Sequence, residues 1–298
     1  MQNLSFLHFL LLTFSLVPQG LSVDTLRNDV IHLLEEKNAT VGVAIWGPDL
    51  GDIVSVNGDS KLPMQSVFKL HLAVTVLAFI DEGKFGLDDK MEITKAHLDN
   101  NLWSPIRKKF PDGVTLSLGE ILKYTVAQSD NVGCDVLFDL IGGPSVVEEY
   151  IHDSGIDDCS IVHNETTMQK VWKRQYDNWT TANAANLVLK TFFENKKKAL
   201  SEESHRFLWE TMKDTKTGKD LIKRFLPKGT IVAHKTGYSG INDDGITGAR
   251  NNIGIVFLPN GDHFYLSILV SDSSEENEAN KRIIADISKL AWDYFSNK

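Results

Sequence analysis

The spacing of apolar residues draws the first outline of the chain. Leu26, Val30, Leu33 and Leu34 recur at helical intervals after Asp24, which predicts an amphipathic helix ending near Lys37 and Asn38. The stretch 41–46 predicts a strand, Gly47-Pro48-Asp49 a turn, and 53–57 the hairpin partner. From Leu70 to Ile80 the sequence is apolar nearly all round a helical wheel, so that helix is expected to be buried on every side. Asp81-Glu82-Gly83 ends it. Helical patterning then persists to about residue 212, through 117–126 with Ser117 as a cap, 132–141 ending at Gly142-Gly143, and 182–193. Strand character returns at 230–236. The runs 252–258 and 264–270, separated by Pro259-Asn260-Gly261, predict a hairpin. An amphipathic helix over 278–295, with Ile283, Ile287 and Leu290 on one face, closes the pattern.

Strands at both ends of a helical middle predict an α/β (α+β) fold. Its antiparallel sheet is built from both termini and flanked by helices, with an all-helical lobe inserted. The expected division is 23–57 with 213–298 for the sheet lobe and 58–212 for the helical lobe. A cleft between two such lobes is a common place for a site.

Composition narrows the partners. The 298 residues suffice for a large core, and 40 acidic against 31 basic residues, net −9, oppose a nucleic-acid partner, which needs a basic face. Residues 1–22 hold an apolar run at 6–14 and small residues at Gly20-Leu21-Ser22, as in an export signal, although no Lys or Arg precedes the run. A buried first helix is the other reading, and the run is short for a membrane span. With no second long apolar segment, the expectation is an exported, periplasmic protein with no membrane anchor once the signal is removed, and a monomer. Cys134 and Cys159 are too few for a disulfide scaffold and are expected to be free and buried. The histidines form no H-x-H-x-D-H or H-E-x-x-H cluster, so neither a metal nor another cofactor is expected, and His234 reads as structural.

Chemistry enters at Ser66-Val67-Phe68-Lys69, ahead of the apolar helix. Ser66 falls at the helix entrance and Lys69 one turn on, which sets an alcohol beside an amine. A desolvated lysine can take a serine proton and make it a nucleophile. Read alone, the motif is more simply a serine cap with a lysine reaching for solvent. Three further stretches change that balance: Ser129-Asp130-Asn131 in a short loop between two helices, Lys235-Thr236-Gly237 on a strand, and Glu165 in an irregular polar segment from 163 to 179.

Together, in this order and at these spacings, the motifs resemble those of the class A serine β-lactamases. The likeness extends over the whole mature length and is nearest the extended-spectrum and cephalosporin-hydrolysing branch of Bacteroides-type bacteria. The resemblance implies that Ser66 is the nucleophile, Lys69 its amine neighbour, Ser129 the proton donor to the leaving nitrogen and Glu165 the carboxylate that activates the deacylating water. It further implies that Asn131 binds the substrate amide, that Lys235 and Thr236 face the substrate carboxylate, and that Gly237 belongs to the same strand edge. The N–H groups of Ser66 and Tyr238 would form the oxyanion hole, and Trp103 would stand at the cleft mouth; without the resemblance Trp103 reads as a core residue.

Departures from the family pattern lie near Glu165, where Gln169 replaces the usual asparagine and His163 the usual arginine. The arginine often paired with the substrate carboxylate has no clear counterpart: Asn251 falls at its position, with Arg250 beside it as a candidate. The implied activity is hydrolysis of penicillins and cephalosporins. A penicillin-binding D-Ala-D-Ala peptidase and a non-catalytic β-lactam sensor domain are the rival readings. Glu165 weighs against the first, and the lack of membrane-spanning sequence against the second.

Overall fold

The computed structural model describes residues 22–48, 53–99 and 101–297. The proposed export signal, except for Ser22, lies outside them, as does Asp49 of the first turn. Strands β1 (Thr40–Trp46), β2 (Val54–Val56), β3 (Val232–Tyr238), β4 (Thr247–Phe257) and β5 (His263–Ser273) form one antiparallel sheet in the order β2-β1-β5-β4-β3. The sheet is therefore built from both ends of the chain, as the pattern predicts. β3 begins later than expected and runs on through Gly237 and Tyr238, because both pair with β4.

Two cores cover the two faces of the sheet. On one face Val43, Ile268, Val232 and Val256 pack with α1 (Val23–Leu34) and α8 (Asn277–Ser296). On the other, Ala233, Ile253 and Ile255 join the helical core around α2 (Phe68–Asp81). Side chains alternate along a strand, so Lys235, two residues after Ala233, points toward α2.

Every α2 residue from Phe68 to Ala78 is buried, which answers the all-round apolar pattern. Each fully buried Leu, Val or Phe there contributes roughly 1.5–3 kcal/mol. Around α2 stand α3 (Leu118–Ala127), α4 (Asn131–Ile141), α5 (Glu165–Met168), α6 (Ala182–Glu194) and α7 (Glu202–Lys213). Ser117 and Glu120 form a capping box at α3. Gly142, at φ 99°, ends α4 in the left-handed conformation glycine adopts most readily. The helical stretch also holds a short two-stranded ribbon, Lys90–Ile93 with Val114–Ser117, which the helical periodicity does not reveal.

Candidate active site

Ser66 is not a helix cap. It lies in a single 3-10 turn, Gln65–Val67, that leads into α2, and its hydroxyl bonds side chains instead of backbone. Gln65 takes a left-handed φ of 49° and donates through Nε2 to Gln175 Oε1 at 2.8 Å, which fixes the kink that presents Ser66.

Because α2 has no polar face, Lys69 enters the site from inside the core, fully buried. Its Nζ donates to Ser66 Oγ at 2.7 Å, to Asn131 Oδ1 at 2.5 Å and to the Ser129 carbonyl at 3.3 Å, and lies 2.6 Å from Glu165 Oε1. A buried ammonium is tolerable only with such partners. Ser66 Oγ in turn donates to Glu165 Oε1 at 3.2 Å. The hydroxyl is thus shared between an amine and a carboxylate.

Glu165 opens a one-turn helix, α5, within the segment expected to be irregular, and is only 1% exposed. Its Oε2 accepts from Gln169 Nε2 at 2.6 Å, so the departing residue still reaches the carboxylate. His163 Nε2 meets Asp177 Oδ2 at 2.9 Å and closes the base of the same segment.

The Ser-Asp-Asn loop connects α3 to α4. Ser129 takes a left-handed φ of 57°, held by Asp130, which caps α4 through Gly133 N at 2.8 Å and binds Ile106 N at 2.7 Å and the Ser104 hydroxyl. Burial raises the Asp130 carboxyl, against the pull of these bonds. Across the cleft, Lys235 Nζ donates to Ser129 Oγ at 2.9 Å. Burial, and next the charge of Lys69, push the Lys235 amine well below its ordinary range. His234, the preceding residue, is buried on the other face of the strand against Asn252 Oδ1 at 3.1 Å. That placement agrees with a structural role.

The strand edge completes the wall. Thr236 Oγ1 meets Thr217 Oγ1 at 2.8 Å. At Gly237 an added Cβ would lie 2.5 Å from the Met64 carbonyl, so a glycine lets β3 press against the turn that carries Ser66. Tyr238 is half-exposed at the rim and stacks on the Arg250 guanidinium at 4.2 Å. Arg250, and not Asn251, faces the cleft; Asn251 is buried, with Nδ2 donating to the Pro63 and Met64 carbonyls. Trp103 is 62% exposed on the opposite rim, its Nε1 donating to the Gln128 carbonyl, which overturns the reading of a core tryptophan.

These elements enclose a cavity of about 560 Å³, with Ser66, Ser129, Asn131 and Glu165 on its floor and Trp103 and Tyr238 at its rim. Lys69 and Lys235 lie just beneath the surface. Gln65, Gln175 and Asp135 escape the sequence reading. Asp135 alone leaves a signal, four residues after Asn131 on a helix and therefore on the same face. Cys134 and Cys159 are free and buried. Among the described residues no group of His, Cys, Asp and Glu is placed to hold a metal.

The model of the Beta-lactamase enzyme family matches residues 25–295. Beta-lactamase VEB-1 of Pseudomonas aeruginosa is 44% identical, with 96% of each chain covered. The structure of TLA-3 extended-spectrum beta-lactamase superposes with a TM-score of 0.90 at 45% identity, over 92% of this chain and 100% of that one. A class A beta-lactamase of Bacteroides cellulosilyticus gives 0.87 at 38% identity, over 92% and 98%. Similarity at this level, along nearly the whole of each chain, fixes fold and family together: the protein belongs to the beta-lactamase enzyme family, among its class A serine enzymes.

Proposed function

We propose that the cleft hydrolyses penicillins and cephalosporins through an acyl-enzyme on Ser66, and so confers resistance to them. Ser66 Oγ attacks the lactam carbonyl. Its proton has two acceptors within reach, Lys69 Nζ when neutral and the Glu165 carboxylate. The Ser66 and Tyr238 N–H groups stabilise the oxyanion, and Ser129, hydrogen-bonded to Lys235, protonates the departing nitrogen. Asn131 holds the substrate amide, and Lys235, Thr236 and the Gly237 strand edge receive its carboxylate beside Arg250. Trp103 and Tyr238 flank the substrate at the cleft mouth. Glu165, steadied by Gln169, then removes a proton from the water that attacks the ester.

The observation that carries this reading is the placement of Glu165, buried and 3.2 Å from the nucleophile. A peptidase or a sensor that stops at the acyl-enzyme has no use for a carboxylate there. Replacement of Glu165 by glutamine tests it: mass spectrometry after mixing with a cephalosporin should show the drug's mass on Ser66, with turnover reduced by on the order of 100-fold or more. Rapid turnover without an adduct would remove Glu165 from this role.

We further assign residues 1–22 to an export signal and the mature, monomeric enzyme to the periplasm, with 23–57 and 213–298 as one lobe and 58–212 as the other. Among the described residues no helix is long and apolar enough to cross a membrane.

A further inference from the structure

Neighbouring residues along a strand point to opposite faces of a sheet, and residues paired across two antiparallel strands share a face. Tyr238 of β3 is paired with Arg250 of β4, and Thr236 with Asn252. Thr236, Tyr238 and Arg250 therefore come up together on the face opposite Lys235, and all three line the cleft. The pairing sets the Tyr238 ring over the Arg250 guanidinium, with Cζ 4.2 Å from the ring centre.

Little else holds this guanidinium. Its Nε is buried without a hydrogen-bond partner, so no protein acceptor competes there. Among the described residues it closes no ion pair: Asp220, the carboxylate whose charge acts on it, is taken by Lys281 Nζ at 2.7 Å. A long side chain left in that state would spread over many rotamers, and ordering it on a substrate would cost entropy. A ring against one face of the guanidinium removes that freedom. It also leaves the N–H edge unobstructed, because stacking uses the flat face whereas hydrogen bonds to a carboxylate lie in the guanidinium plane. The main chain at Tyr238 is fixed separately, by its place in the sheet. The side chain can thus be changed while the N–H proposed for the oxyanion stays where it is.

We propose that the Tyr238 side chain is a positioning residue for substrate selection: it holds the Arg250 guanidinium flat, its N–H edge turned to the ring carboxylate of the β-lactam, and so favours substrates in which that carboxylate is free. The inference rests on the carboxylate role given to Arg250 above. One residue then serves both ends of the lactam nucleus, its N–H the carbonyl and its ring, through Arg250, the carboxylate. Lys235 and Thr236 meet the same carboxylate without help from the ring, so the selection is graded and not absolute.

The test compares a chromogenic cephalosporin with its methyl ester at the ring carboxylate, as the ratio of kcat/KM for acid over ester. A general loss of activity cancels in that ratio, and a loss of carboxylate recognition does not. Arg250→Ala should lower the ratio by on the order of 10-fold, the scale of one charge-assisted contact. Tyr238→Leu, which removes the aromatic face, should lower it about 3-fold, the scale of a cation–π contact near the surface, and chiefly through KM. Tyr238→Phe keeps the ring and should lower it less. In the Arg250→Ala background Tyr238→Leu should lower the ratio no further, since nothing is left for the ring to hold. An unaltered ratio in Arg250→Ala overturns the carboxylate role of Arg250 and this proposal with it. Three results overturn the positioning by Tyr238 alone: a ratio lowered by Arg250→Ala and not by Tyr238→Leu, equal losses in Tyr238→Phe and Tyr238→Leu, or a Tyr238→Leu effect that persists without Arg250. Should Tyr238→Leu not fold, the Arg250 Nε–H resonance of the unsubstituted enzyme decides, assigned by its loss in Arg250→Ala. An upfield ring-current shift supports the stack, and an unshifted resonance overturns it.

Discussion

Lys235 Nζ and Ser129 Oγ, 106 residues apart, lie 2.9 Å from each other and join the edge of the sheet to the loop between α3 and α4. The contact gives the proposed proton donor a charged neighbour. Because burial and Lys69 lower the Lys235 amine, its proton is lost at lower pH than that of an exposed lysine. The acylation rate should therefore show an alkaline limb below the ordinary lysine range. Lys235→Arg, protonated throughout, should remove the limb, and Lys235→Ala should slow acylation by on the order of 100-fold. Pre-steady-state rates across pH measure both, and an unchanged Lys235→Ala enzyme would take the strand edge out of the reaction.

Ser66 and Lys69 should separate activity from stability. Ser66→Ala should abolish turnover yet alter the unfolding free energy by no more than about 1.5 kcal/mol, since one hydrogen-bonded hydroxyl is lost and Lys69 still meets Glu165. Lys69→Ala leaves Glu165 buried without its cation and should cost about 3–5 kcal/mol. Urea denaturation at neutral pH distinguishes them; equal losses would mean that the ion pair does not hold the site together.

Gly237 offers a test of how tightly the strand must approach Ser66, the proposed nucleophile. The methyl of Gly237→Ala meets a backbone carbonyl, Met64 O at 2.5 Å, and a carbonyl in a buried turn cannot swing aside as a flexible side chain would. β3 should move off the Ser66 turn, at a cost of about 1–3 kcal/mol in stability. Acylation should slow more than binding weakens, because the proposed oxyanion donors, the Ser66 and Tyr238 N–H groups, lie on the two parts that separate. A Gly237→Ala enzyme with unchanged acylation and melting temperature would refute the close contact.

The sheet and α2 were legible because their apolar patterns have few competing readings: β4 and β5 carry near-continuous apolar runs on either side of a clear turn, and α2 is buried on every side. The candidate residues were legible only as a set, since Ser-Asp-Asn and Lys-Thr-Gly are each common. What pattern and spacing left obscure was decided by long-range contact. Trp103 looks like any core tryptophan until its indole is tied to the Gln128 carbonyl at the rim. Asn251 and Arg250 differ only in which face of β4 each occupies, and register is a tertiary property. The pairing of Gln65 with Gln175 spans 110 residues and has no local sequence signature.

Two buried histidines should make the fold acid-sensitive. His71 is completely buried in α2, and desolvation, opposed by the Val67 backbone, lowers it to about 4; His234 falls to about 3 for the same reason, helped by the charge of Lys223. In the unfolded chain both would titrate near 6.5. The unfolded state therefore binds protons first as pH falls, and the stability these residues contribute is present above about 6.5 and lost as pH drops through their folded values. For His71 the loss between pH 6.5 and about 4 is on the order of 3 kcal/mol. Asp130 and Asp135, whose carboxyls are raised, act in the opposite sense and mask part of the loss. The comparison of choice is with His71→Met, which fills a similar volume without titrating. Both aspartates remain in each protein, so they drop out of the difference. Urea unfolding at pH 7 and pH 4.5 should show a smaller acid loss in His71→Met than in the unsubstituted protein. Identical losses would mean that His71 is already protonated in the folded state, and that a neutral imidazole is not what the core of α2 encloses.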